Sequence, residues 1–187
     1  MARLRKFVGY RGLERPYTRK SKFNKKNFIR GGFPNLRVVK FQMGNQHADF
    51  NTLVTLHATK PLQIRHNAIE ASRQTSNKHL EKNLGRSGYF LKIRFYPFHV
   101  LRENPLASGA GADRMSTGMK KSFGQFIGAA AQIRKDQILI EVRVDKKHIA
   151  VAKEALKRAS AKFPCTCKIR TTAIAEGVKI SNDSPAA

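Results

Sequence analysis

The chain has 187 residues, enough for one compact domain with tails. Its 37 Lys and Arg against 12 Asp and Glu leave a formal net charge of +25, which excludes a neutral surface and favours a polyanionic partner. The positive side chains of a compact protein with this charge repel one another unless anions neutralise them. We therefore expect the phosphates of a nucleic acid to bind this protein. The cations run along the whole chain instead of one amphipathic helix, which argues against a membrane partner.

Three further features bound the class of protein. No apolar run approaches the roughly 20 residues of a spanning helix, and the start MARLRKFVGY lacks the apolar core of a secretory signal, so we expect a cytoplasmic protein. Cys165 and Cys167 are too few for a disulfide framework, and a zinc site would need histidines such as His99 or His148. Alternation with Ile169 instead aims both sulfurs at the core, and we favour that interpretation.

The first forty residues hold thirteen Lys or Arg and a single acid, Glu14. Aromatic residues lie among the cations, and turn signals at 15–17 and 31–34 occur without a helical stripe. We expect residues 1–35 to form an irregular arm that places cations on RNA phosphates and rings on RNA bases, although a disordered basic extension is the alternative. The RNA-binding residues expected in the arm are Arg3, Arg5, Lys6, Arg11, Arg15, Arg19, Lys20, Lys22, Lys25, Lys26 and Arg30.

Residues 36–174 have the periodicities of a single folded domain, and 175–187 have no pattern and are expected to be a disordered tail. Alternation predicts strands at 39–43, 53–59, 91–96, 98–101, 129–133, 138–144 and 165–170. The helical period predicts helices at 66–84 and 146–163 and, more weakly, a short helix within 113–123. Two amphipathic helices over a mostly antiparallel or mixed sheet predict an α+β fold, an α/β sandwich.

The strand at 91–96 and the loop after it are the expected site. Leu91 and Ile93 alternate with Lys92 and Arg94, which predicts an apolar face for the core and a cationic face for RNA. Residues 102–117 have no strand or helix period, and a loop of this length is commonly functional or disordered. Small residues make its tip slim, and the cations around its base, also expected to bind RNA, are Arg102, Arg114, Lys120 and Lys121.

Nothing in the sequence supports catalysis. The acids are scattered, and Glu103 and Asp113 have no spacing that fixes their mutual geometry. Gly109-x-Gly111 lacks the Gly-Lys-Ser/Thr of a phosphate loop. We therefore expect no enzyme, no catalytic residue, no cofactor, no metal and no small-molecule substrate.

Several motifs resemble one protein family. They are RPYTR at 15–19, GGFP at 31–34, FQMGN at 41–45, PFHVLREN at 97–104, GAGADR at 109–114 and TGM at 117–119. Together they are similar to large-subunit ribosomal protein sixteen, in its archaeal and eukaryotic "ten-e" form and closest to archaeal members, from about residue 15 to 172. The chain departs from the family pattern at the more basic stretch 20–28, at Gln42 and at 125–127.

The resemblance implies an α/β sandwich that binds large-subunit ribosomal RNA beside the transfer-RNA path, with neighbouring ribosomal proteins as further partners. It implies that the loop 102–117 points toward the peptidyl-transferase centre without performing peptide transfer. The loop residues that it places near transfer RNA are Asn104, Ser108, Gly109, Ala110, Gly111, Ala112 and Asp113. A free RNA-binding regulatory protein would share the charge but should offer an aromatic sheet motif or a recognition helix, and neither is present.

Overall fold

The computed structural model describes residues 11–13, 15–17, 23, 33–104, 109–111, 114, 118–121 and 123–174. Two α-helices and eight β-strands lie within these residues. The strands are β1 Gln42–Gly44, β2 Thr52–Ala58, β3 Leu62–Arg65, β4 Phe90–Ile93, β5 His99–Glu103, β6 Gln125–Ile133, β7 Ile138–Val144 and β8 Cys167–Ala173. The helices are α1 His66–Leu84 and α2 Ile149–Ser160.

Five strands form the larger sheet, in the order β1-β4-β7-β2-β8, and every neighbouring pair is antiparallel. The central strand β7 has the alternation expected of it, with Ile140, Val142 and Val144 fully buried in the main core. Because successive side chains of a strand point to opposite faces, these three residues share the face that belongs to this core.

Both helices contribute narrow stripes of small side chains to the same core. Helix α1 buries Ser72 and Ser76 beside Ile69 and Leu80, and each serine hydroxyl donates to a backbone carbonyl of the helix itself. Helix α2 buries three alanines and Leu156. Small residues let a helix approach its neighbours closely, and the two helices also contact each other. None of the described helices is long and apolar enough to cross a membrane.

Three strands form a smaller antiparallel sheet in the order β3-β6-β5. Its inner residues Ile64, Ala131 and Ile133 join the main core. At one end of this sheet the chain leaves β5 after Glu103 and returns to β6 at Gln125, so the sheet carries the long loop.

The predicted α+β class is confirmed by the two helices and the two antiparallel sheets. Alternation predicts β2 and β7 to within a residue, and helix α1 spans the predicted residues. The second sheet is not predicted, because the local pattern indicates no strand at Leu62–Arg65 and starts β6 at residue 129 instead of Gln125.

Several predicted boundaries are corrected, among them those of β1, β4 and β8, which the pattern placed at 39–43, 91–96 and 165–170. The loop starts two residues later than predicted, since Arg102 and Glu103 pair with β6. The second helix, predicted over 146–163, begins as a 3-10 turn at Lys146–His148, and its α-helical part ends at Ser160. In the region of the expected short helix, the structure describes a 3-10 helix at Gly118–Lys121.

Candidate nucleic-acid interface

A guanidinium that contacts two mutually perpendicular aromatic rings marks the place where the loop leaves the domain. Arg102 lies on β5, and its guanidinium carbon is 3.9 Å from the centre of the Tyr17 ring and 3.5 Å from that of Phe123. Its Nη1 also donates a hydrogen bond to the backbone carbonyl of Phe123. The two rings meet edge to face with centroids 6.1 Å apart. Cation–π contacts therefore tie together a strand, the arm and the returning end of the loop.

Tyr17 brings the arm to the same place. Its backbone N–H donates to Nδ1 of His99 at 3.0 Å, and its ring lies 5.5 Å from the imidazole. His99 is buried on β5, next to the strand segment that carries Arg102. A second hydrogen bond holds the arm five residues before Tyr17, where Nε2 of Gln63 on β3 donates to the backbone carbonyl of Gly12 at 2.6 Å. The smaller sheet thus holds the arm at two points.

The two ends of the loop are also held together. Nδ2 of Asn104 donates to the carbonyl of Gly118 at 3.0 Å. Gly124 has φ +77, and a Cβ on it would come within 2.7 Å of the Glu103 carbonyl carbon, so only glycine fits this close approach. Arg102, Asn104, Gly118, Phe123 and Gly124 are called the loop root below.

The tip of the loop differs from its root. Gly109 and Gly111 have φ +116 and +80, and added Cβ atoms would meet nothing within 4 Å. Ala110 between them is exposed, and the N–H of Arg114 donates to the Gly111 carbonyl at 3.1 Å. Of the residues that the resemblance places near transfer RNA, Ser108, Ala112 and Asp113 lie outside the described residues. The described part of the tip is thus a thin, open turn.

The predicted RNA-binding cations fall into distinct groups. Arg11, Arg15 and Arg114 are exposed, and Lys120 and Lys121 belong to the 3-10 helix that precedes Phe123. Arg15 lies two residues from Tyr17, so the described arm brings an exposed cation to the loop root. The remaining arm cations lie outside the described residues: Arg3, Arg5, Lys6, Arg19, Lys20, Lys22, Lys25, Lys26 and Arg30.

Lys92 and Arg94 do not form the open cationic face that alternation predicted. Lys92 is only 8% exposed and lies opposite Glu141 in the β4–β7 register. Nε of Arg94 and Nη2 of Arg143 each lie 3.5 Å from a carboxylate oxygen of Glu141. The buried carboxylate of Glu141 on β7 pairs with Arg94 from β4, a long-range contact that the local pattern could not reveal.

Comparison with known proteins decides the family. Residues 15–170 match the family described as Ribosomal protein L16p/L10e. The chain belongs to this family. The match begins at the RPYTR motif and includes the loop and its root, so the resemblance found in the sequence is confirmed. The protein is therefore a structural protein of the large ribosomal subunit, and the prediction that it is not an enzyme is confirmed.

Archaeal relatives support the same assignment over most of the chain. The large ribosomal subunit protein uL16 of Staphylothermus marinus is 45% identical over 164 residues, which cover 88% of this chain and 90% of that protein. The uL16 of Archaeoglobus fulgidus is 45% identical over 160 residues, covering 86% and 88%. That of Methanococcus maripaludis is 44% identical over 171 residues, covering 91% and 95%. The archaeal character and the location in cytoplasmic ribosomes agree with these relatives.

Sequence reasoning missed the exposed aromatic side chains on the strands that carry the loop. Phe98, Phe123 and Phe126 are exposed. Phe123 belongs to the loop root and Phe126 lies opposite Arg102 in the β5–β6 register, whereas Phe98 precedes the other end of β5. Exposed rings among cations are platforms on which unpaired RNA bases stack. The signal was present as aromatic residues on both sides of the loop, but only the pairing of β5 with β6 places Phe126 opposite Arg102.

The cysteines outside this region are predicted to be structural. Cys165, Cys167 and Ile169 pack against the main core as expected, although each thiol is only half-buried. In the part of the chain that the structure describes, no group of three or more His, Cys, Asp or Glu side chains could hold a metal ion.

Removing the Arg102 guanidinium should loosen the arm. We expect Arg102→Ala to lower the free energy of unfolding by about 1–3 kcal/mol, because it removes two cation–π contacts and a hydrogen bond at once. Arg102→Lys should recover only part of this, since an ammonium lacks the planar face that a guanidinium presents to an aromatic ring. Chemical unfolding and the rate of tryptic cleavage after Arg11, an exposed residue of the arm, would measure the effects. The exposed Arg114→Ala is the control, and equal effects of the two alanine variants would contradict the anchoring role of Arg102.

Proposed function

We propose that the protein binds large-subunit ribosomal RNA through its arm and the exposed surface around the loop root, and that it holds the loop beside the transfer-RNA path. The observation that carries the proposal is the pair of cation–π contacts that Arg102 makes with Tyr17 and Phe123, which joins the basic arm to the loop root. A polyanion bound to the arm is thereby bound next to the loop. Neighbouring ribosomal proteins complete the set of partners, in keeping with the family.

Each predicted segment of the chain has its own part in this function. Residues 1–35 are the RNA-binding arm, residues 36–174 are the folded domain, and residues 175–187 are a tail without an assigned role. Exposed cations such as Arg11, Arg15 and Arg114 neutralise phosphates, and the exposed rings of Phe98, Phe123 and Phe126 offer stacking surfaces for bases. Phosphate contacts position the protein, whereas the rings favour places where the RNA bases are unpaired.

The loop performs the second part of this function. Its root is closed by the Asn104–Gly118 hydrogen bond and by the close approach at Gly124, while its tip at Gly109 and Gly111 has open space around it. A rigid root and a slim tip suit insertion between crowded nucleic-acid strands, because glycine and alanine let the backbone approach a partner closely. The family resemblance directs the tip toward the acceptor end of peptidyl-site transfer RNA.

The salt dependence of RNA binding tests the assigned surface. Purified protein should bind large-subunit ribosomal RNA with an affinity that falls steeply as salt rises, because each phosphate contact releases counterions. The double variant Arg15→Ala with Arg114→Ala should reduce the slope of log affinity against log salt by about 2. The control, Lys147→Ala with Lys153→Ala, removes two exposed cations at helix α2 and should leave the slope nearly unchanged. An equal loss in both double variants would contradict the assigned surface.

A further inference from the structure

A pair of thiols lies apart from the loop root, at the junction between helix α2 and strand β8. Cys165 and Cys167 are both free, and their sulfur atoms are 3.6 Å apart. They are the two cysteines of the chain. Neither contributes to the arm, the loop or the exposed aromatic surface, so the proposed function gives them no role.

The backbone explains why the two sulfurs converge. Cys167 opens β8 and pairs with Ala58 of β2, while the carbonyl of Thr166 accepts hydrogen bonds from Thr59 N at 3.2 Å and Thr59 Oγ1 at 2.6 Å. The residue between the cysteines is therefore fixed to the neighbouring strand. Its two flanking side chains emerge on the same side, as alternate residues of an extended chain do, and pack against the main core.

The surroundings make one thiol the better nucleophile. Both side chains are half-buried, which leaves them within reach of a small reagent. A hydrogen bond from Cys167 lowers the pKa of Cys165, whereas the same interaction together with burial raises the pKa of Cys167. Because the thiolate is the attacking form, Cys165 reacts first and Cys167 lies in position to resolve the product.

We propose that Cys165 and Cys167 form a reversible dithiol site that low-molecular-weight disulfides oxidise to an intrachain disulfide. The thiolate of Cys165 attacks one sulfur of the small disulfide, forms a mixed disulfide and releases one small thiolate. Cys167 then loses its proton to solvent and attacks the Cys165 sulfur, which forms the Cys165–Cys167 bond and expels the second small thiolate. The two cysteine sulfurs lose two electrons in total, and the small disulfide gains them as two thiols.

Oxidised glutathione is a suitable probe for the full-length, reduced protein. After incubation, acid quenching and maleimide labelling, intact mass should show the loss of both free thiols, a mass lower by two hydrogens and no retained glutathione. Cys167→Ser should instead keep one glutathione on Cys165, because no resolving thiol remains. Cys165→Ser should acquire glutathione on Cys167 more slowly, and far-UV circular dichroism would verify that both variants are folded.

Two results would overturn the proposal. One is a folded wild-type protein that retains glutathione on both cysteines, which would mean that the sulfurs cannot reach each other. The other is a folded protein that does not react under conditions in which the denatured chain does, which would make the thiols inert core residues. Both results come from the wild-type chain, so they hold even if a serine variant fails to fold.

Discussion

Leu156→Asp should leave the protein unfolded. Leu156 is fully buried in the middle of helix α2, within the core shared with β7 and helix α1. A carboxylate there has no partner, and burying an unpaired charge costs several kcal/mol in addition to the apolar burial that the leucine side chain provides. Since the free energy of unfolding of a single domain is typically about 5–15 kcal/mol, this cost removes most or all of it. Chemical or thermal unfolding followed by circular dichroism would measure the loss.

The neighbouring residue provides the matched control. Lys157 is exposed on the opposite side of the same helix, so Lys157→Asp makes a substitution to the same residue one position away. We expect it to cost at most about 1 kcal/mol, from repulsion by Glu154 one turn earlier and from a negative charge near the helix end. Similar melting of the two variants would mean that the buried face of α2 is assigned wrongly.

The hydrophobic pattern of the sequence predicts a helix or strand correctly when the environment of that element is the same along its whole length. Helix α1 spans the predicted residues because its apolar period and the stop at Gly85 agree. Strand β7 alternates cleanly, and this alternation defines its boundaries. In contrast, β3 follows Pro61 directly and runs straight into helix α1, so neither a turn nor an alternation separates it from the helix.

The site could be predicted from the sequence only where its chemistry is local. The cations of the arm, the glycines of the tip and the length of the loop are visible in the sequence. The cation–π contacts of Arg102 with Tyr17 and Phe123 are not, because these residues are distant in the chain and meet only after the strands pair. The ion pair of Arg94 with Glu141 on the neighbouring strand is likewise absent from the local pattern, and an RNA contact of Arg94 stays a prediction.

Deleting residues 105–111 should separate anchoring from function. The deletion keeps β5, β6 and the whole loop root, including the Asn104–Gly118 hydrogen bond that already brings the two ends together. The six residues left between these ends can therefore span them, and the fold should survive. Exposed cations such as Arg15 and Arg114 remain, so binding to the RNA should persist, because affinity is spread over many phosphate contacts.

What should fail is the step that uses the tip. We expect ribosomal subunits with the deletion to contain the protein in full amount but to bind peptidyl-site transfer RNA and form peptide bonds about tenfold less well, a loss of about 1.4 kcal/mol. A seven-residue Gly-Ser replacement of the same residues is the matched variant, since it restores length without the native tip. If the replacement restores activity, the tip acts through its reach, and if it does not, the tip's own residues are needed. Normal activity of the deletion at full protein content would reduce the loop to a spacer, and loss of the protein from the particle would make the tip an anchor.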